Sequence, residues 1–316
     1  RSYGCYRSQG PLIDGKVCAS DTRQGVIDDC GLWAAMACLA NAGSQYIHFM
    51  FPHLSIQRSK GKKVGAYMVT LCVLPKMSCL GDYENDVTPY TQRHPSLMQH
   101  CTQHHVHGSW RIVLVDTCFI GREEYRYGDR PALWPRVIEK AFAKVLGGYG
   151  NMRGIRADEA IFMMTGCRTK VLTAPNGWPK MASDSLLQAL DALKRQRGEV
   201  LLIARATADA DCTPFRTHHY FSILDFAIVQ NPLDRKDTSF TIKLMDPYAV
   251  PAITEDGERA AFNARMFPVG SRGKLGYTKM EELDGIFWVK QSEFMSKFCH
   301  VTVCYVCDGY KKQRIM

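Results

Sequence analysis

The sequence predicts an α+β protein of two lobes, a helix-rich first lobe over residues 1–178 and a second lobe of mainly antiparallel sheet over residues 179–316. Apolar residues recur at helical spacing in the first half of the chain, whereas runs rich in β-branched and aromatic residues dominate the second half. Between the halves, the Pro- and Gly-containing segment 173–179 (TAPNGWP) is typical of a hinge.

Composition narrows the class of protein. The chain has 316 residues, of which 46% are hydrophobic and 22% charged, as in ordinary globular proteins. No apolar run approaches the roughly eighteen residues that a membrane span requires, so we expect no membrane-spanning segment. The net charge is +9, but the basic residues are scattered apart from short clusters at 58–63 and 311–314, which argues against nucleic-acid binding.

Cysteine content and the first residues bear on location. Thirteen cysteines without a repeating framework favour a reduced, cytoplasmic setting, and association with the cytoskeleton is a further expectation. The chain starts at Arg1 and no charged-then-apolar leader follows. We therefore expect a piece of a longer chain or a processed start rather than a secretory signal.

In chain order, the first lobe is predicted to contain three helices, and the second lobe a helix followed by five strands. The first helix begins near Cys30 and stops before Gly43, and Ser183 is expected to cap the helix of the second lobe. The predicted helices are 30–42, 134–146, 158–164 and 183–197, and the predicted strands are 66–74, 110–116, 200–206, 220–229, 239–245, 285–290 and 300–306.

A polar loop at 81–108 contains five potential zinc ligands, and these are His100, Cys101, His104, His105 and His107. Zinc modules combine two short ligand spacings across a longer loop, and that pattern is missing. An exposed polar loop is the favoured interpretation, and a zinc-binding adaptor remains a third hypothesis.

The segment 24–40 (QGVIDDCGLWAAMACLA) places a thiol in the first turn of an apolar helix. At that position the helix dipole and unpaired N–H groups favour the thiolate of Cys30. The same N–H groups, together with the side-chain amide of Gln24, are suited to bind a developing oxyanion. The alternative is that Cys30 is one more buried cysteine, so the hypothesis requires partners elsewhere.

Two candidate partners stand at the ends of predicted strands. His219 opens the strand HYFSILD and Asp246 closes the strand TIKLMD. A nucleophilic thiol needs an imidazole base and a third group that orients the imidazole. We expect both side chains at one edge of the sheet, facing Cys30 across a cleft.

These motifs resemble the protease core of the calpain family along almost the whole chain. QGVIDDCGLWAA is similar to the family's Gln-Gly-x-Leu-Gly-Asp-Cys-Trp-x-Leu-Ala-Ala, and WPRVIEKAFAKVLGGYG to its Trp-x-x-Leu-Leu-Glu-Lys-Ala-Tyr-Ala-Lys-x-x-Gly-Ser-Tyr. MMTGC resembles the Thr-Gly-Gly turn, THHYFSILD the Gly-His-Ala-Tyr-Ser-Val strand, KLMDPY the Arg-Asn-Pro-Trp segment, and DGIFWVKQSEFMSKF the terminal Asp-Gly-Glu-Phe-Trp motif. The resemblance implies a papain-like two-lobed cysteine protease core.

Carried over by position, the resemblance implies a nucleophile at Cys30, a general base at His219 and an oxyanion donor at Gln24. Asp246 stands at the place of the family's orienting asparagine, and a carboxylate can also accept the imidazole N–H. Two further departures are Gly31, in place of the tryptophan after the cysteine, and Tyr248, in place of the tryptophan that stacks near the histidine.

The family's core binds one calcium ion in each lobe, and the ions draw the lobes together. Asp21 and Glu159 match acidic ligands of the first-lobe site, and Asp284 matches a ligand of the second. Ile286 stands where the family has a glutamate, so we expect the second site to be weakened or absent.

Two main hypotheses follow from the resemblance. The chain is a calpain-like intracellular endopeptidase that cleaves polypeptides through a Cys30 thioester. Alternatively, it is a catalytically silent calpain-like module that serves as a scaffold within a larger assembly.

Overall fold

The structure is a computed structural model that describes residues 5–7, 11–25, 27–52, 66–73, 109–120, 132–174, 178–196, 198–207, 218–230, 238–248 and 285–306. The histidine-rich loop at 81–108 lies outside these residues, and so does Asp284. None of the described helices is long and apolar enough to cross a membrane.

The first lobe contains four helices and two small antiparallel sheets. Its helices are α1 (Cys30–Ala42), α2 (Ser44–Phe49), α3 (Trp134–Val145) and α4 (Ala157–Thr165). Its strands pair as β1 (Cys5–Arg7) with β4 (Cys118–Ile120), and as β2 (Ala66–Val73) with β3 (Ser109–Asp116). Short 3-10 helices occupy Ala19–Asp21 and Tyr149–Met152.

Helix α1 is the central element of the fold. Its residues from Cys30 to Ala40 are all buried, because the sequence is apolar on every face of the helix. It packs against α2 and α4 of the first lobe and against strands of the second lobe. Gly43 follows its last turn and donates its backbone N–H to the carbonyl of Leu39.

The second lobe is a six-stranded antiparallel sheet in the order β5-β10-β6-β7-β8-β9. The strands are β5 (Thr169–Thr173), β6 (Val200–Ala206), β7 (Tyr220–Gln230), β8 (Thr238–Met245), β9 (Ile286–Lys290) and β10 (Phe298–Tyr305). Helix α5 (Lys180–Arg195) packs on β6 and β7, and helix α6 (Gln291–Lys297) connects β9 to β10.

Strand β6 shows how the two lobes share a core. Leu201 and Ile203 belong to the apolar cluster around α1, whereas Leu202 and Ala204 belong to the cluster on the opposite face of the sheet. Successive side chains of a strand point to opposite faces, so a strand packed on both sides is apolar throughout. The sheet is therefore covered by the first lobe on one face and by α5 on the other.

Most predicted elements are confirmed, and five short ones were not foreseen, namely β1, β4, β5, α2 and α6. The predicted start of α5 at a Ser183 cap is wrong, because the helix begins at Lys180 directly after Pro179. Pro179 has φ −67° and ψ 156°, an extended conformation that suits the residue before a helix. Residues 169–173 were not predicted as a strand, yet they form β5, which pairs with β10.

A small apolar cluster joins the lobes beside the cleft. Ala19 and Ala37 of the first lobe pack with Leu224 and Met245 of the second, and Ile286 lies against them. This group of five side chains is named the interlobe cluster below. The division of the chain at residue 178 stays a prediction.

Candidate active site

Cys30 is the first residue of α1 and is 8% exposed. Asp29 precedes it with φ −126° and ψ 36°, and its carbonyl accepts the N–H groups of Leu32 and Trp33 to begin the helix. The thiol thus lies at the positive end of the helix dipole, where negative charge is stabilised.

His219 and Asp246 form a buried hydrogen-bonded pair. Strand β7 starts directly after His219 and β8 ends directly before Asp246, and the two strands are antiparallel neighbours. The Nε2–H group of His219 donates to Oδ1 of Asp246 at 2.9 Å. The side chains are 4% and 3% exposed, so water hardly screens the interaction.

The pKa of His219 reflects these contacts. Burial alone would lower it, but hydrogen bonds with Asp246 and then with Cys30, and the charges of both groups, raise the pKa of His219 to about 9. Because Asp246 occupies Nε2, Nδ1 is left for the contact with the thiol. Cys30, His219 and Asp246, which the sequence places far apart, therefore form one connected set.

Aromatic rings fix the imidazole plane. Tyr248 stacks on His219 with ring centroids 5.0 Å apart and an angle of 24° between the planes. Phe221 meets the same imidazole edge to face, with centroids 4.9 Å apart. The backbone N–H of Tyr248 also donates to Oδ1 of Asp246 at 2.9 Å. Tyr248 therefore still stacks on the histidine where the family has tryptophan.

Gln24 lies beside the pair and links the two lobes. Its backbone N–H donates to the carbonyl of Pro247, which follows Asp246, at 2.7 Å. Its side-chain Nε2 donates to the carbonyl of Ile27 at 2.7 Å, and Oε1 is buried with no partner among the described residues. The amide NH₂ carries two hydrogens, so one N–H remains for an oxyanion.

The backbone of 155–157 explains why glycine follows the nucleophile. A Cβ atom on Gly31 would lie 2.2 Å from the carbonyl oxygen of Ile155 and 3.0 Å from the backbone nitrogen of Ala157. No side chain fits in that space without moving backbone atoms. Gly31 therefore permits the close approach of the start of α4 to the nucleophile.

A buried charge cluster behind Cys30 was not foreseen from the sequence. The Arg136 guanidinium bonds to the Glu139 carboxylate at 3.1 Å and lies over the Trp33 ring, with its central carbon 4.9 Å from the centroid. Among the described residues, the buried Asp29 carboxyl oxygens have no hydrogen-bond partner. Burial, and then the charge of Glu139, raise the pKa of Asp29 well above its usual value, so the carboxyl group next to Cys30 takes up a proton more readily than an exposed one.

Asp21 and Glu159, the predicted calcium ligands of the first lobe, are occupied in other ways. Asp21 accepts hydrogen bonds from the backbone N–H of Cys18 at 3.0 Å and from the Trp134 indole at 3.1 Å. Glu159 is 3% exposed, and burial followed by the charge of Asp158 raises its pKa to about 8. Within the described part of the chain, no group of three or more His, Cys, Asp or Glu side chains could hold a metal ion.

A thiol at a helix N-terminus, close to an imidazole that a carboxylate orients, is the arrangement of a cysteine hydrolase. The family model described as "Calpain family cysteine protease" matches residues 85–305, more than half of the chain. The chain therefore belongs to the calpain family of cysteine proteases. The matched segment contains His219 and Asp246, whereas Gln24 and Cys30 precede it.

Among solved structures, a similar chain is that of "Crystal Structure Analysis of SERA5E from plasmodium falciparum". The match covers 93% of this chain and 92% of that chain at 10% sequence identity, with a TM-score of 0.34. A TM-score of that size is too low to establish a common fold.

The Gly31 contact leads to the first testable prediction. Gly31→Ala should lower thermal stability and the reactivity of Cys30 together, because the new methyl group meets backbone rather than a flexible side chain. Overpacking of this kind costs about 1–3 kcal/mol. Thermal denaturation and thiol-alkylation rates measure the two effects.

Gly150→Ala is the matched control, since a Cβ atom at Gly150 meets nothing within 4 Å. Equal melting temperatures for the two variants would contradict the contact between Gly31 and Ile155.

Proposed function

We propose that the chain is an endopeptidase that hydrolyses polypeptides through a covalent thioester on Cys30. The observation that carries the proposal is the buried imidazole of His219, which is hydrogen-bonded to Asp246 and close enough to Cys30 for the thiol to help raise its pKa after Asp246 does so. Membership of the calpain family gives the cysteine peptidase class, and the roles of individual residues are our inference from this geometry.

The reaction starts from a thiolate and an imidazolium. The thiolate of Cys30 attacks the substrate carbonyl carbon, and the oxyanion is stabilised by the amide of Gln24 and by backbone N–H groups at the start of α1. His219 then donates its Nδ1 proton to the leaving amine, which departs and leaves a thioester. Neutral His219 next takes a proton from water, and the hydroxide attacks the thioester, releasing the acid and restoring the thiolate.

A non-catalytic module is the second candidate, favoured by two observations. Cys30 is only 8% exposed, and the Gln24 amide already bonds to its own loop at Ile27. A non-catalytic protein that retained these residues only for packing would also have a buried cysteine and an occupied glutamine amide. The two candidates differ in the reactivity of Cys30.

A thiol probe separates these candidates. If the site is assembled, Cys30 should react with iodoacetamide at neutral pH about tenfold or more faster than Cys18, a half-buried thiol outside the site. Mass spectrometry of the modified peptides locates the label, and cleavage of a generic peptide substrate reports turnover. Turnover that persists in Cys30→Ser would contradict the proposed nucleophile, and equal labelling of Cys18 and Cys30 without turnover would favour the silent module.

The His219–Asp246 pair leads to a pH prediction. The ordinary pKa of histidine is about 6.5, and that of folded His219 is about 9. The stabilisation from this charge is therefore fully present below pH 6.5 and is lost as the pH rises through 9. We expect activity to decline on the alkaline side near the same pH, because the imidazolium is the proton donor to the leaving amine.

Variants of Asp246 test this assignment. Asp246→Asn keeps the oxygen acceptor but removes the charge, so turnover should survive with the alkaline limb at lower pH. Asp246→Ala should lose much of the ~10²–10⁴-fold supplied by general acid–base catalysis. Profiles of kcat/KM against pH provide the measurement, and an unchanged alkaline limb in Asp246→Asn would rule out Asp246 as the group that raises the pKa of His219.

We also propose that direct packing, rather than calcium, holds the two lobes together. Among the described acidic residues, the Asp21 carboxylate already accepts hydrogen bonds from Trp134 and Cys18, and Glu159 is 3% exposed. Hydrogen bonds cross between the lobes instead, among them those from Ser222 to the Ala34 carbonyl, from Asn41 to the Leu224 carbonyl and from Gln24 to the Pro247 carbonyl. Ile286 adds an apolar contact in the interlobe cluster.

A substitution at Ile286 tests the interlobe contact. Ile286→Glu restores the family's residue but places a carboxylate against the interlobe cluster, so the melting temperature and the Cys30 alkylation rate should both fall. Ile228→Glu is the matched control, because Ile228 is 66% exposed on the same sheet. For the wild-type protein we expect calcium to change neither quantity, and a calcium-dependent rise in both, with binding measured by calorimetry, would overturn the proposal.

A cytoplasmic location is proposed on the state of the thiols. None of the eight cysteines whose side chains the structure describes is in a disulfide bond, in keeping with a reducing compartment. Incorporation into a larger assembly stays a prediction.

A further inference from the structure

The residue before His219 has an unusual backbone conformation. His218 has φ +57°, and among the described residues it is the only one other than glycine with a positive φ. Side chains other than glycine rarely adopt this region, and where they do the strain often serves a functional site. The family motif that THHYFSILD resembles, Gly-His-Ala-Tyr-Ser-Val, has glycine at the position of His218. The exposed imidazole of His218 is therefore a departure from that motif.

Arg205 contacts His218 and is held at the same edge of the sheet. Its Nε donates to the His218 carbonyl at 3.5 Å, and its Nη2 lies 3.4 Å from His218 Nδ1. Arg205 pairs with Tyr220 in the ladder between β6 and β7, and its guanidinium lies 5.7 Å from the centre of the Tyr220 ring. Tyr220 directly follows His219 in the chain, so Arg205 lies at the same end of the sheet as the imidazole.

Tyr220 is the residue that relates Arg205 to Cys30, because both groups act on its hydroxyl. The Tyr220 hydroxyl is within electrostatic reach of both Arg205 and Cys30. Arg156 reaches it from the opposite lobe, where it follows Ile155, the residue in contact with Gly31. Arg205 of the second lobe and Arg156 of the first thus both lie within electrostatic reach of Tyr220.

Only one of these arginines has a described counter-charge. Arg156 forms a bidentate pair with Asp158, with distances of 2.9 and 2.7 Å. Among the described residues, no carboxylate lies within ion-pair distance of Arg205. The charges of Arg205, Arg156 and His218 all lower the pKa of the neighbouring His300, after the larger effect of burial.

We propose that Arg205 and His218 form a subsite for an acidic side chain of the substrate, so that polypeptides with Asp or Glu close to the cleaved bond are preferred. A guanidinium held by a neighbouring residue is suited to bind a carboxylate with two parallel hydrogen bonds. The strained conformation of His218 directs its carbonyl and ring to Arg205, which orients the guanidinium before substrate arrives. The proposal rests on the proposed peptidase function, and it names the substrate class of the same site.

Binding is measured first, because it does not depend on turnover. Fluorescent peptides that carry one Glu, or Gln at the same position, are titrated by anisotropy into the full chain with Cys30→Ala, which keeps them intact. At one or more positions the Glu peptide should bind about tenfold more tightly at low salt, and the ratio should fall as salt is added. Equal dissociation constants for Glu and Gln peptides at every position would overturn the proposal.

Variants assign the preference to Arg205. Arg205→Gln should bring the Glu/Gln ratio close to one, Arg205→Lys should restore part of it, and Arg205→Glu should shift the preference towards Lys peptides. Arg195→Gln is the control, since Arg195 is 78% exposed and pairs with Asp191 on α5. A Glu preference that survives Arg205→Gln would show that the subsite is elsewhere.

Cleavage then distinguishes this proposal from the peptidase function. With Cys30 restored, the ratio of kcat/KM for Glu and Gln peptides should follow the binding ratio. Turnover of both peptides at equal rates would contradict the acidic subsite but not the peptidase. A Glu preference in binding without any turnover would support the subsite on a non-catalytic module and contradict the peptidase.

Discussion

The burial of helix α1 between the two lobes is the constraint on which the rest of the structure depends. One face of the helix packs on the first lobe and the other on β6 and β7, so its position is fixed from both sides. The Cys38 thiol donates to the carbonyl of Leu202 at 3.1 Å, and the Ser222 hydroxyl donates to the carbonyl of Ala34 at 2.8 Å. Since Cys30 begins this helix and His219 precedes β7, the contacts that stabilise the fold also set the separation of thiol and imidazole.

The site is built from groups that are costly to bury, and pairing offsets that cost. His219 and Asp246 share a hydrogen bond, and the buried Glu139 shares a guanidinium with Arg136. Among the described residues, the Asp29 carboxyl oxygens have no hydrogen-bond partner, and burial raises the pKa of that carboxyl group well above its usual value. Burial therefore disfavours a negative charge on Asp29, the residue next to Cys30.

The sequence was sufficient for the architecture and for the proximity of Cys30, His219 and Asp246. Local patterns locate α1, β7 and β8, and antiparallel pairing brings the start of one strand next to the end of the other. The charge cluster could not be predicted from the sequence, because Asp29 and Arg136 come together only through the packing of α3 against the segment before α1. The conformation of His218 was equally hidden, since nothing in the letters THHY indicates that a histidine adopts a positive φ. Short elements such as α2 and β4 depend on tertiary contacts rather than on their own periodicity.

The departures from the family's pattern are best understood together with the residues that contact them. Gly31 leaves room for the carbonyl of Ile155, and Tyr248 provides an aromatic face for the imidazole. Ile286 extends the interlobe cluster where a carboxylate would be unpaired. Each substituted residue is accommodated by the residues that contact it in the folded chain. This is expected when a site retains its structure despite substitutions. A site under no functional constraint would retain the packing of α1, but it would have no reason to keep His219 and Asp246 paired in the interior, with the imidazole stacked on Tyr248.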